Sequence, residues 1–193
     1  MSIQFRILVP EDAAGFIDFF DNMDFQHAEH WRGCYCQYDH LLDSDEPWEK
    51  VRGAKARQMA LGNVKCGYTR GILAMDGAKI IGWCHVNSYE NLPRIHAYFA
   101  PNLKEGRNAI IVCFMVHPHY RRQGLALALL EAALENCKKE GFAALHGLAA
   151  TNVSVPERAY HGTMQMYEKA GFTLIDTKDS LAFYRLEFAL KES

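Results

Sequence analysis

The chain has 193 residues, of which 49% are hydrophobic and 23% charged, and its formal net charge is −2. That length suits one domain over 1–193 burying about 70% of its unfolded surface, and the composition excludes a disordered or collagen-like chain. The longest apolar runs are too short to cross a bilayer, and no basic stripe with interleaved aromatics marks a nucleic-acid binder.

The opening "MSIQFRILVPED" lacks a cationic region followed by an apolar one, so no export is expected. The six cysteines are scattered, so reduced thiols in a cytoplasm are the expectation. "IQFRILVP" alternates and predicts a strand with Ile3, Phe5, Ile7 and Val9 on one face. Pro10, Glu11 and Asp12 open a helix with an apolar stripe of Ala13, Phe16, Ile17 and Phe20. The stretch "HAEHWRGCYCQYDH", 27–40, reads as a long loop. A second helix is expected from "SDEPWEK" to about Gly62, with Lys50, Arg52, Lys55 and Arg57 solvated. "TRGILAM" and "KIIGWCHV" flank "DGA", a strong hairpin signal. Pro93 and Pro101 mark an irregular connection.

"IIVCFMV", 110–116, predicts a strand buried on both faces. After "RRQG" a helix runs to about Glu140, with Leu127, Leu130, Leu134 and Cys137 as its stripe. "FAALHGLA" is a strand, "TMQMYEKA" a short helix ended by Gly171, and "FTLID" and "LAFYRLEF" close the chain as strands. The order β-α-α-β-β-β-α-β-α-β-β gives an α/β or α+β domain.

Chemistry concentrates in "CFMVHPHYRRQGLALALLEAAL". A buried strand ends, an Arg- and Gln-rich turn passes through Gly124, and a helix begins at once. The first N–H groups of a helix lack internal partners and carry the positive end of its dipole. Gly124 and Ala126 are small enough to let a phosphate approach, and Arg121 and Arg122 add fixed charge. The chain has no G-x-x-x-x-G-K-[ST], and no G-x-G-x-x-G opens a helix after a strand, so this is a different cradle from those of nucleotide enzymes.

Arg121-x-x-Gly124-x-Ala126 resembles the R/Q-x-x-G-x-G/A signature of the GNAT superfamily of acyl-CoA N-acyltransferases. "MYEKAGF", 166–172, is similar to that family's L-Y-E-K-x-G-F segment, and the strand order fits nearly the whole chain. "G-C-x-C-x-Y", "GWC" and "HGTMQMYEKAGF" resemble bacterial members. The resemblance implies a mixed, mostly antiparallel sheet of six or seven strands with about four helices, splayed between strands 4 and 5. It also implies acetyl-CoA as co-substrate. The main chain of Met115, Val116 and His117 would pair with the pantetheine arm. The turn Arg121, Arg122, Gln123, Gly124, Leu125 and Ala126 would hold the pyrophosphate, with Asn152 as a further contact. Tyr167 would protonate the leaving thiolate. Members often carry a Glu on the central strand as base; "AIIVCFMV" has none, which leaves His117, His85, Glu90 or water.

The cysteine–histidine loop admits three readings. C-x-C is tight for two ligands to one tetrahedral ion, and no second pair follows, so no metal is expected. A Cys34–Cys36 disulfide would close too short a ring. The third reading has Trp31, Cys34 and Cys36, joined by Cys84, lining an acceptor pocket, with plain packing as its alternative; Cys66 and Cys137 read as small hydrophobes. Residues 1–49 hold eleven acids and two arginines, and the remainder is net basic, which suits a cationic small acceptor and an anionic co-substrate. The family resemblance is compatible with a monomer or homodimer.

Overall fold

The structure, a computed structural model, describes residues 2–26, 28–42, 45–152 and 160–189, and the statements below concern those. Seven strands form one sheet: β1 (Gln4–Ile7), β2 (Gly71–Asp76), β3 (Lys79–Ser88), β4 (Asn108–Val116), β5 (Ala144–Ala150), β6 (Thr173–Lys178) and β7 (Leu181–Glu187), in the order β1-β2-β3-β4-β5-β7-β6. Every neighbouring pair is antiparallel except β4–β5, which is parallel. The helices are α1 (Ala13–Asp21), α2 (Trp48–Val51), α3 (Ala54–Lys65), α4 (Pro93–Phe99), α5 (Leu125–Lys139) and α6 (Met164–Lys169). The expected strand order stands, with two helices more than expected.

Helices α1 and α3 cover one face, where Phe16, Phe20, Val64, Leu73, Trp83 and Met115 form a core. Helix α5 covers the other with Leu125, Leu129, Leu130 and Ala133 against Ile81, Cys84, Ile111 and Phe114. Burying side chains on both faces of β3 and β4 is the main stabilising term, at about 1.5–3 kcal/mol for each large apolar side chain.

Four local expectations are corrected. The second helix breaks at Gly53, which adopts φ +98° because the chain turns there onto Gly33; the Gly53 N–H donates to the Gly33 carbonyl at 2.9 Å. The cations of that segment are engaged: Arg52 donates to the carbonyls of Arg32 and Glu29 at 2.7 and 2.6 Å, Arg57 pairs with Asp21 at 2.8 Å, and Lys55 pairs with Glu46. The stretch between the prolines contains α4, with Pro93 in its first turn, where a missing N–H costs nothing. Finally, Ile3, Phe5 and Ile7 stand exposed, because β1 is an edge strand that α5 flanks without covering.

Candidate active site

The central feature is a gap between β4 and β5. Their ladder pairs Asn108–Ile111 with Ala144–Gly147 and then stops, although β4 continues to Val116 and β5 to Ala150. On its other side β4 bulges: His85 lies opposite Cys113 and Val86 opposite Ile111, which leaves Val112 as the extra residue. The bulge bends β4 away from β5. Within the gap His161 Nδ1 lies 2.9 Å from the Val112 carbonyl; a carbonyl only accepts, so Nδ1 carries the hydrogen. Tyr167 is fully buried, its ring so close over Gly147 that a Cβ there would lie 2.1 Å from Tyr167 Cε1. Its hydroxyl donates to the His161 carbonyl at 3.1 Å, and burial raises its pKa well above the ordinary tyrosine value.

Beyond the gap lies the predicted anion cradle. Gly124 caps α5 at φ +80°, with no side-chain cap and nothing within 4 Å of where a Cβ would stand. The first helical bond runs from the Ala128 N–H to the Gly124 carbonyl, so the N–H groups of Leu125, Ala126 and Leu127 precede the ladder. No acid occupies the first turn. Arg121 Nε donates to the Val116 carbonyl at 3.0 Å, tying the turn to the end of β4. Arg122 holds φ +60°, unusual for a residue with a Cβ. Gln123 Nε2 donates to the His119 carbonyl at 2.8 Å. Asn152 is exposed just after β5.

A cavity of about 810 Å³ opens beside the gap. Val112 and Leu148, each the residue after the last paired position of its strand, line it, as do Cys113 and Met115 of β4. Trp31, Cys34 and Cys36 of the loop also reach it, whereas Cys84 does not. Strand alternation points Cys84 to the other face of β3, where it packs in the core under α5. All six cysteines are free thiols. Burial lifts Cys34 to about 12, the hydrogen bond with Cys113 and then burial raise Cys36, and against the downward pull of that bond Cys113 is raised by burial, so these thiols are protonated and neutral near pH 7. Among the described residues no group of three or more His, Cys, Asp or Glu is placed to hold a metal ion, and His27 lies outside them.

Of the three protein groups considered as base, only His85 lines the cavity. It is fully buried, neither ring nitrogen has a hydrogen-bond partner among the described residues, and burial depresses its pKa. His117 borders a separate depression of about 250 Å³ beside Lys79, and Glu90 is exposed and accepts from Ser88 Oγ.

Sequence reasoning missed Asp39, Cys113 and His161. Asp39 lines the cavity, and its pKa is raised to about 7 by burial, against a smaller opposing pull from Arg94. Behind it, Asn63 donates to Gln37 Oε1 at 2.7 Å and Gln37 Nε2 donates to Thr69 Oγ1 at 3.3 Å. Thr69 Oγ1 lies 3.2 Å from His40 Nε2, and His40 Nδ1 donates to the Asn91 carbonyl at 2.7 Å. This chain fixes the turn that carries Asp39. The only sequence signal was the polar triplet "YDH" in an aromatic loop.

A family model described as the acetyltransferase (GNAT) family matches residues 28–172. No curated protein sequence matches the chain. Among solved structures, the chain is similar to a PaiA N-acetyltransferase from Thermoplasma acidophilum in complex with coenzyme A, at 17% identity and a TM-score of 0.58, covering 97% of this chain and 100% of that one. It is similar to a mosquito arylalkylamine N-acetyltransferase-like 5b at 15% identity and 0.59, with 97% and 100% covered. A Drosophila melanogaster polyamine N-acetyltransferase that forms N-acetylagmatine matches at 13% and 0.56, with the same coverage. At such identities these likenesses speak for the fold.

Proposed function

The chain belongs to the GNAT acetyltransferase family, and from that premise we propose that it transfers an acetyl group from acetyl-CoA to the primary amine of a small cationic acceptor by direct attack. Membership makes acetyl-CoA the co-substrate. The observation that carries the reading is the gap itself: β4 and β5 part after Ile111 and Gly147, Val112 and Leu148 just past that point line the 810 Å³ cavity, and β4 leads on to the uncapped start of α5.

The pantetheine arm lies along Met115–His117 in that gap, and its pyrophosphate meets the N–H groups from Leu125 onward with Arg121 and Arg122 beside them. Asn152 is an additional contact at the end of β5. The thioester carbonyl then sits near Val112 and Cys113, at the cavity wall. Trp31, Cys34 and Cys36 border the acceptor. The acceptor's ammonium loses a proton to water or to His85, whose ring burial keeps neutral while making it a weak base. The amine nitrogen bonds to the carbonyl carbon, the C–S bond breaks, the thiolate takes a proton from Tyr167, and the second proton that the nitrogen sheds as the amide forms restores the Tyr167 hydroxyl by way of water. The raised pKa of Tyr167 keeps that proton in place until the thiolate forms. Six free thiols agree with a reducing, cytoplasmic setting.

A second reading is a module that binds acyl-CoA without turnover; it draws on the Tyr167 hydroxyl being buried and engaged by His161. Calorimetry with acetyl-CoA, followed by thiol release over a panel of amines, tests both. We expect binding and turnover, and Tyr167→Phe lowers kcat with acetyl-CoA affinity unchanged. Binding without any turnover selects the module, and no binding by the folded protein removes both readings.

A further inference from the structure

The cavity's chemistry narrows the acceptor. Its walls carry Phe20, Phe25, Trp31, Tyr38, Trp48 and Tyr98, drawn from α1, the segment just after it, the 28–42 loop, α2 and α4. The rings meet edge-on in places, Tyr38 against Trp48 at 5.4 Å and 80°, so their faces and edges are both presented. Such a box suits a flat apolar body.

Its charges are few. Of the acids in residues 1–49, Asp12, Asp21, Glu29 and Glu46 are engaged by Arg6, Arg57, Arg32 and Lys55, and Asp39 is the one that lines the cavity among the described residues. The Asp39 carboxylate is half-buried and makes no hydrogen bond among those residues, and the cation that acts on it is Arg94. Asp179, the other lining acid, sits on the β6–β7 turn and already accepts from the Tyr98 hydroxyl. Arg94, the one arginine of the lining, lies over the Tyr38 ring at 4.2 Å. His85 adds a second polar group without a hydrogen bond among those residues, fully buried between the rings of Trp83 and His40. A half-buried carboxylate bonded to no donor in an aromatic surround attracts a cation, and an ammonium can bond it while its substituent fills the box.

Building on the acetyl-transfer reading, we propose that the acceptor is a primary monoamine with an aromatic body, its ammonium held by Asp39 and its ring by the aromatic wall. A polyamine is disfavoured, because a second ammonium deep in the cavity would meet no second carboxylate open to it among the described residues.

The test compares 2-phenylethylamine and tryptamine with spermidine and n-butylamine, in wild type and Asp39→Asn, with acetyl-CoA binding measured in parallel. The expected result is kcat/KM at least about 30-fold higher for the two aromatic amines. Asp39→Asn raises their KM by about 30- to 100-fold, as loss of a buried charge partner does. Acetyl-CoA affinity stays unchanged, and Asp39→Glu restores part of the KM. Preference for spermidine or n-butylamine, or an unchanged KM in Asp39→Asn, overturns the inference. Acetyl-CoA binding with turnover of none of the four amines overturns it too and leaves the acetyl-transfer reading standing. Failure to bind acetyl-CoA removes both.

Discussion

Replacing Gly124 with Glu isolates the anion cradle from the rest of the protein. Gly124 holds φ +80°, and a residue with a Cβ pays about 1–2 kcal/mol to adopt a left-handed conformation. Nothing lies within 4 Å of the new Cβ, so no packing is lost. A carboxylate at a helix N-terminus returns about 0.3–1 kcal/mol. The net cost to the fold is about 1 kcal/mol, a fall in Tm of about 2–4 °C for a chain of this size. Binding suffers more. One added negative charge about 4 Å from a phosphate repels it by about 1 kcal/mol in bulk water and about 4 kcal/mol at the effective dielectric of a protein surface. Acetyl-CoA affinity should therefore fall between about 5- and 1,000-fold, and less at high salt, where the repulsion is screened. Calorimetric titration of wild type, Gly124→Glu and Gly124→Ala measures it, with Ala carrying the strain but no charge. Glu binding acetyl-CoA within threefold of Ala would refute the cradle, since a phosphate at these N–H groups cannot ignore the carboxylate.

Two stability predictions follow from the same geometry. Gly147→Ala forces a Cβ to 2.1 Å from Tyr167 Cε1, and such overpacking costs about 3 kcal/mol, so the melting temperature should drop by about 6–12 °C; a drop under 2 °C would mean that the Tyr167 ring is not held over β5. Asp39, raised from its ordinary value to about 7, adds stability in its protonated form that is full below about pH 4 and lost as pH rises through 7. Asp39→Asn abolishes that loss, so its advantage over wild type should grow between pH 4 and 7. The ceiling is about 4 kcal/mol, and residual solvent access brings it nearer 2 kcal/mol. Buried His40 and His146, depressed to about 4, act with the opposite sign, losing stability as pH falls from about 6.5, but they are common to both proteins. Denaturant melts at intervals across that range read the difference, and two parallel curves would show that Asp39 titrates normally.

What could be read from the sequence was what repeats locally. Alternation and apolar runs located the seven strands, and the strand–turn–helix at 110–139 was recognisable because the cradle's parts are contiguous. Tertiary packing decided the rest. The α5 stripe was read as Leu127, Leu130, Leu134 and Cys137, yet the most buried residues are Leu125, Leu129, Leu130, Ala133 and Cys137. Leu127 and Leu134 are flanking, because the sheet meets the helix about one residue further round. Helix α4 was hidden by the two prolines that bound it, and the α2–α3 break by a glycine whose role depends on Gly33, distant in sequence.

The cavity was hidden for a further reason: its residues come together only across the sheet. The loop's C-x-C pair was visible, but its neighbour Cys113 comes from β4, where one residue of bulge decides which side chains face inward. The loop itself carries strain, since Tyr35 and Cys36 hold φ of +47° and +54°. Such backbone costs about 1–3 kcal/mol per residue and persists only where the surroundings enforce it. Here they do: the Tyr35 hydroxyl donates to Asp21 at 2.6 Å, Arg57 locks that carboxylate, and Gln37, the next residue after the strained pair, is clamped by Asn63 and Thr69. Of the front-section acids that suggested an attraction for cations, Asp21, Glu29 and Glu46 are paired with Arg57, Arg32 and Lys55 in and around this loop. Among the described residues Asp39 is the one carboxylate of that section that lines the cavity, and on the acceptor proposed above it is the group that meets the ammonium.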